Sequence, residues 1–270
     1  MAYIRLTLAS RCLNGATDVS VFFPDDPKAP MGSGMAPRKP GVIPGDAVDK
    51  SRRYQVLWLL HGAFGSSGDW MRYSQIELFA EENGLIAACP SGENGAYVNA
   101  VRGAAWEDIV TIKLWGLVHT MLPSSVDPKD NFIAGLSMGG YGALRLGLRH
   151  PERYSRIGSF SGGVDIAGRY AAGTFSAPGS EDVFGPRESV PGSDLDLFTV
   201  LQQRAAQGGG LPPIYLSCGT KDALMEDNRR LRAALEKAGY DVTWQEEDYG
   251  HEWRFWNRQV EAFIRTLSLG

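Results

Sequence analysis

The chain has 270 residues, 43% of them hydrophobic and 21% charged, an ordinary globular composition with ample material for a core. Its formal charge is −4 and no run of Lys and Arg exceeds a pair, which argues against nucleic acid or an anionic membrane as the main partner. No apolar run approaches the roughly 20 residues of a bilayer-spanning helix. The three cysteines, Cys12, Cys89 and Cys218, are too few and scattered for a disulfide framework or a zinc site, so neither metal nor cofactor is expected.

The opening residues alternate in the manner of a strand and carry none of the regions of a signal peptide, so a cytoplasmic protein is the default expectation. Two strands are predicted at 3–8 and 18–23, joined by a turn at Asn14-Gly15. Residues 24–50 contain six of the fifteen prolines and several glycines; this stretch suits an exposed connection better than a helix or a central strand. Short apolar runs bounded by Gly or Pro follow at 54–60, 85–89, 131–136, 156–160 and 213–218, with a further strand at 241–246. Helical patterns fall between them, near 74–83, 105–121, 138–149, 223–239 and 252–267. Alternating strands and helices predict an α/β fold, a mostly parallel central sheet with helices on both faces, and a single domain over 1–270. Catalytic residues of such a sheet stand just beyond the carboxyl ends of its strands. The interval 163–212 breaks the rhythm, being Gly- and Pro-rich with one predicted helix around 194–206. It reads as a cap-like excursion over the catalytic edge, able to form one wall of a pocket.

Gly135-Leu136-Ser137-Met138-Gly139 places a serine between an apolar strand and the helix that continues through Tyr141-Gly-Ala-Leu. A serine raised on so tight a turn needs small neighbours two residues to either side, because the backbones crowd there. A hydroxyl becomes a useful nucleophile only when a base takes its proton. Of the four histidines, His150 lies at the far end of the serine's helix, about 18 Å away at 1.5 Å per residue. His119 lies within a helix, and His61 belongs to a loop in which a structural hydrogen bond is its expected role. His251, after the last predicted strand and beside Gly250, is left as the base.

The imidazole in turn needs a carboxylate to set its tautomer and stabilise its charged form. Asp222 follows the strand ending at Cys218 and gives the chain order Ser, Asp, His that accompanies this kind of serine turn. Asp165 is its main rival, while Asp248 and Glu252 stand too close to His251 in sequence. Donors for an oxyanion are expected from the main-chain N–H of Met138 and from the loop His61-Gly-Ala-Phe-Gly65, with Ala63 favoured and Phe64 second. Trp106 and Trp253 are expected near the site as bulky residues that shorten a substrate pocket.

With Leu59-Leu-His-Gly-Ala-Phe-Gly-Ser-Ser-Gly-Asp-Trp70, Gly135-Leu-Ser-Met-Gly-Gly-Tyr-Gly-Ala143, Leu216-Ser-Cys-Gly-Thr-Lys-Asp222 and Gly250-His-Glu-Trp-Arg-Phe-Trp256, the chain resembles the esterase D family of α/β-hydrolases. The likeness spans most of 54–267 and is closest to the tributyrin-esterase branch. It implies the α/β-hydrolase fold, with Ser137, Asp222 and His251 as nucleophile, acid and base. It also implies a serine carboxylesterase acting on short-chain acyl esters, with a small-molecule ester as partner. S-formylglutathione hydrolases, feruloyl and acetylxylan esterases and mycolyl transferases share the family. The loop here reads Leu-His-Gly-Ala-Phe-Gly where the formylglutathione enzymes have Ser-Gly-Leu-Thr-Cys, which lowers that alternative. A non-catalytic binding protein on the same scaffold is disfavoured by the intact Ser, Asp and His set. The sequence is compatible with a homo-oligomer and leaves the natural substrate open.

Overall fold

The computed structural model describes residues 1–25, 52–175 and 179–269. From residue 26 onwards the predicted connection 24–50 lies outside them. The eight strands are β1 Ala2–Ser10, β2 Gly15–Phe23, β3 Gln55–Leu60, β4 Leu85–Pro90, β5 Asn131–Leu136, β6 Arg156–Phe160, β7 Ile214–Gly219 and β8 Val242–Glu247. They form one sheet in the order β1-β2-β4-β3-β5-β6-β7-β8. The hairpin β1–β2 and the β2–β4 pair are antiparallel, and every pairing from β4 across to β8 is parallel. Asn14 closes the hairpin in the left-handed region at φ 50°, a conformation asparagine tolerates better than most residues.

The helices are α1 Asp69–Tyr73, α2 Ile76–Asn83, α3 Trp106–Asp108, α4 Trp115–Met121, α5 Met138–Arg149, α6 Ile166–Ala171, α7 Ser180–Phe184, α8 Leu197–Ala206, α9 Met225–Lys237 and α10 Trp253–Ile264. The predicted helix 105–121 is divided by a π-helical stretch, Ile109–Leu114, between α3 and α4. Among its described residues the excursion 163–212 holds three α-helices where one was expected, because α6 and α7 are too short, at six and five residues, to establish a periodic pattern.

Successive side chains of a strand point to opposite faces, and along the central strands both faces are dry. Val56, Trp58 and Leu60 of β3 join a core with Tyr141, Leu144 and Leu148 of α5, Leu201 of α8 and Leu231 of α9. Leu57 and Leu59 join a second core with Trp70, Phe79 of α2 and Phe255, Val260 and Phe263 of α10. Both faces of β3 are therefore sealed, and its carboxyl end, with those of β5 and β7, is where loops converge.

Helix α5 is also tied down from its far side. Glu107 of α3, 5% exposed, lies 2.6 Å from Arg145 Nη1, 3.1 Å from Arg149 Nε and 2.8 Å from His150 Nε2. Arg145 Nη2 continues to Asp194, at the entry to α8, at 2.7 Å. A buried carboxylate on this scale is stable only when its charge and lone pairs are matched, and here three cationic or donor groups converge on it. Burial alone would raise the Glu107 carboxyl; the hydrogen bonds and charges of His150, Arg145 and Arg149 outweigh it and hold the group at about 2.

Candidate active site

The site begins with the turn from β5 into α5. Ser137 sits at φ 53° and ψ −117°, a strained conformation for a residue with a Cβ, of the order of 1–3 kcal/mol. Its N–H donates to Phe160 O at 2.9 Å and its carbonyl accepts from Gly163 N at 2.9 Å. Glycine is required around it by close approach. A Cβ on Gly139 would lie 2.6 Å from His61 O and closer still to Leu60 O, and one on Gly135 would strike the Gly139 backbone. The flanking glycines thus let the serine turn nest against the loop after β3.

The other two residues come from neighbouring strand ends. Thr220 N donates to Glu247 O at 2.9 Å and Lys221 N to Tyr249 O at 3.0 Å, which staples the loop after β7 to the loop after β8. A Cβ at Gly219 would fall 2.7 Å from the Tyr249 carbonyl carbon, so only glycine permits this approach. The result brings His251 Nδ1 to 2.7 Å from Asp222 Oδ2, and His251 Nε2 to 3.0 Å from Ser137 Oγ. A carboxylate that can only accept sets the proton on Nδ1 and leaves Nε2 free to accept from the serine hydroxyl. Asp222 Oδ1 accepts in addition from Leu224 N at 2.9 Å. The Asp222 side chain is 1% exposed, and burial by itself would raise its carboxyl. The His251 hydrogen bond, the Leu224 N–H, the imidazole charge and the Ser161 hydroxyl together pull it below its usual value. Trp256 presses on the imidazole edge-on at 4.9 Å, which limits its rotation.

The remaining histidines and the rival carboxylate stand elsewhere. His61, 1% exposed, has Nδ1 2.6 Å from Gly62 O and Nε2 accepting from Gly92 N at 2.8 Å, so both ring nitrogens hold the loop. Burial lowers its pKa, only partly opposed by Gly62 O and Asp69, which keeps it neutral. His119 meets the rings of Trp115 and Trp58 edge-on and bonds Ser124 Oγ at 2.7 Å; burial, with Arg153, takes it down to about 4. Asp165 caps α6 by accepting from Gly168 N at 3.1 Å and pairs with Arg230 at 2.6 Å.

Of the loop donors, Phe64 N–H is already given to Asn94 Oδ1 at 2.8 Å. Among the described residues no acceptor is found for Ala63 N–H or Met138 N–H. These two flank Ser137 around a cavity of about 210 Å³, whose walls include Phe64, Ile166, Arg169, Phe175, Val183 and Phe184. Five of those six come from the excursion 163–212, which does line the pocket. The two tryptophans do not. Trp106, 3% exposed, packs with Leu8 and Ile109 on the β1 side of the molecule. Trp253 turns from the start of α10 onto Trp70, Tyr73 and Trp256, with ring centroids at 5.2, 5.3 and 5.3 Å. Bulk, or nearness in sequence to His251, says nothing of the direction in which a helix presents its first side chain. Phe175, Phe184 and Asn94 were not predicted; the two phenylalanines carried a signal only as apolar residues inside a polar excursion. Among the described residues no group of three His, Cys, Asp or Glu is placed to hold a metal ion, and no helix is long and apolar enough to cross a membrane.

Comparison with known proteins shows the family and the fold. An esterase family model matches residues 40–267. The chain is 32% identical over 245 residues to an acetyl esterase of Caldicellulosiruptor saccharolyticus, covering 84% of this chain and 91% of that one. Its structure is similar to that of the fluorophosphonate-binding serine hydrolase F of Staphylococcus aureus, with a TM-score of 0.84, 25% identity and 98% of both chains covered. An S-formylglutathione hydrolase of Staphylococcus aureus superposes with a TM-score of 0.82, also at 25% identity and over 98% of both chains. The chain belongs to the esterase family, as a serine hydrolase of the α/β-hydrolase fold.

Proposed function

We propose that Ser137, His251 and Asp222 form a catalytic triad hydrolysing short-chain carboxylic esters through an acyl-enzyme. The observation that carries this reading is the pair of hydrogen bonds linking the three side chains, at 2.7 and 3.0 Å. His251 Nε2 takes the Ser137 proton as Oγ attacks the ester carbonyl, and Asp222 stabilises the imidazolium that forms. The negative charge on the carbonyl oxygen is met by Ala63 and Met138 N–H, neither of which has another acceptor among the described residues. Collapse breaks the ester bond, and His251 gives its proton to the departing alkoxide. Water then attacks the acyl-enzyme, delivering a proton to Nε2, and the second collapse frees the acid and returns the proton to Ser137.

A cavity of about 210 Å³ is below the roughly 300–1,000 Å³ typical of pockets for drug-sized ligands, which supports a short acyl group. The name of the acetyl esterase relative supports the same choice. The thioesterase alternative is kept because an S-formylglutathione hydrolase is so similar in fold. One sheet from the first strand to the last supports reading the chain as a single domain. Three cysteines without a disulfide support a reducing, cytoplasmic compartment. A fluorophosphonate probe tests the nucleophile: mass analysis should find one adduct, on Ser137, and an adduct elsewhere refutes the assignment. Acetyl esters and acyl thioesters assayed side by side separate the two substrate classes.

A further inference from the structure

The loop that carries Ala63 also carries an unusual residue. Phe64 is 85% exposed, the highest value among the exposed large apolar side chains of the described residues. Its backbone stands at φ 62°, the left-handed region that a residue with a Cβ avoids. Neither property is an accident of a loose loop. Gly65 N donates to Gly62 O at 3.2 Å, closing the turn, and Asn94 Oδ1 accepts from Phe64 N at 2.8 Å. The segment providing Asn94 is itself unusual, with Glu93, Ala96 and Tyr97 all at positive φ. Backbone strain and a dedicated side-chain hydrogen bond thus hold an aromatic ring out in solvent, where it gains nothing from burial. Phe64 nonetheless belongs to the wall of the Ser137 cavity, together with Ala63, Asn94 and Ala96.

We propose that the Phe64 ring is a substrate-contacting flap at the mouth of this pocket, selecting esters whose outer half is flat and apolar. The inference rests on the acyl-enzyme reading above and adds the part of the substrate that the small cavity cannot enclose. With one acyl group inside about 210 Å³, the alcohol part remains at the mouth. An aryl or arylalkyl alcohol there covers the exposed ring and is covered by it, whereas a polyhydroxylated one leaves both faces wet. Asn94 acts through Phe64 as a positioning residue, since its side chain reaches the backbone of the loop at 2.8 Å.

The test compares kcat/KM for benzyl acetate and ethyl acetate in wild type and variants, using the ratio so that general losses cancel. Phe64→Ala should lower the benzyl-to-ethyl ratio on the order of tenfold, mainly through KM of the benzyl ester. Phe64→Tyr should keep the ratio. Asn94→Ala should lower it in part, and Asn94→Asp, which retains the acceptor, should restore it. Equal losses on both esters would mean that Phe64 serves only the shape of the loop, and an unchanged ratio would mean that its ring meets no substrate; either overturns the proposal. Binding of benzyl acetate to Ser137→Ala protein, with and without Phe64→Ala, reads the same contact in the absence of turnover. Loss of all hydrolysis in Ser137→Ala bears on the esterase reading and the ratio on Phe64, so each can fail alone.

Discussion

Replacing Glu107 by Gln removes the charge at the centre of the network behind α5 while keeping its shape. The carboxyl is held at about 2 against an ordinary value of 4.5. A shift of that size corresponds to about 3 kcal/mol of stability at neutral pH. Because the folded-state pKa is depressed, this contribution is fully present above the unfolded value and is lost as the pH falls towards the folded one. Gln resembles the protonated acid, so Glu107→Gln should cost about 3 kcal/mol at pH 7. The gap to wild type should narrow by about 1 kcal/mol by pH 3.5. Arg145, 2% exposed, keeps Asp194 as a carboxylate partner at 2.7 Å in the variant, so its own loss is part of the same figure and adds no separate cost. Urea unfolding followed by circular dichroism across this pH range measures both quantities. A variant within about 1 kcal/mol of wild type at pH 7, or a gap independent of pH, would refute the reasoning.

Asp222→Asn should lower kcat by about 10⁴, since a neutral amide neither sets the imidazole tautomer nor stabilises its charge. Asp165→Asn should fall far short of that loss, and the opposite order in steady-state assays would assign the wrong carboxylate. The p-nitrophenyl acetate and butyrate esters should exceed the decanoate in kcat/KM by at least about tenfold, since methylenes beyond the cavity are neither buried nor accommodated. Equal turnover of the decanoate would show that the pocket is longer than its walls imply. Gly139→Ala should lower both the Tm and kcat, because its methyl meets the backbone carbonyls of Leu60 and His61 rather than a movable side chain. A variant with wild-type kcat and Tm would contradict the crowding argument.

The parallel strands β3 to β7 were legible because they are buried on both faces, so Leu57 and Trp58 are equally apolar although they enter different cores. The serine turn was legible for a steric reason, since Gly135 and Gly139 leave space that no other residue could. Asp222 and His251 followed from strand ends alone, and their juxtaposition depends on stapling hydrogen bonds between main-chain groups of the two loops. The pocket wall was legible only as a region. Its α6 and α7 are shorter than two helical turns, and nothing in the composition of 163–212 distinguishes Phe175 and Phe184 from core residues. Trp106 and Trp253 went to other packing sites because bulk and proximity in sequence do not encode side-chain direction. Phe64 was weighed as a backbone donor; its N–H proved committed to Asn94, thirty residues away in sequence, a contact for which no local pattern exists.

The central claim is that Ser137 is the nucleophile of an ester hydrolase, and the activity of Ser137→Ala on p-nitrophenyl acetate tests it most directly. The hydroxyl lies in no core, so the variant should fold as wild type does by circular dichroism and thermal melting. Its kcat should fall by on the order of 10⁴ to 10⁶. A well-folded Ser137→Ala protein that kept about a tenth of wild-type kcat would contradict the account, since truncating a true nucleophile cannot leave so much.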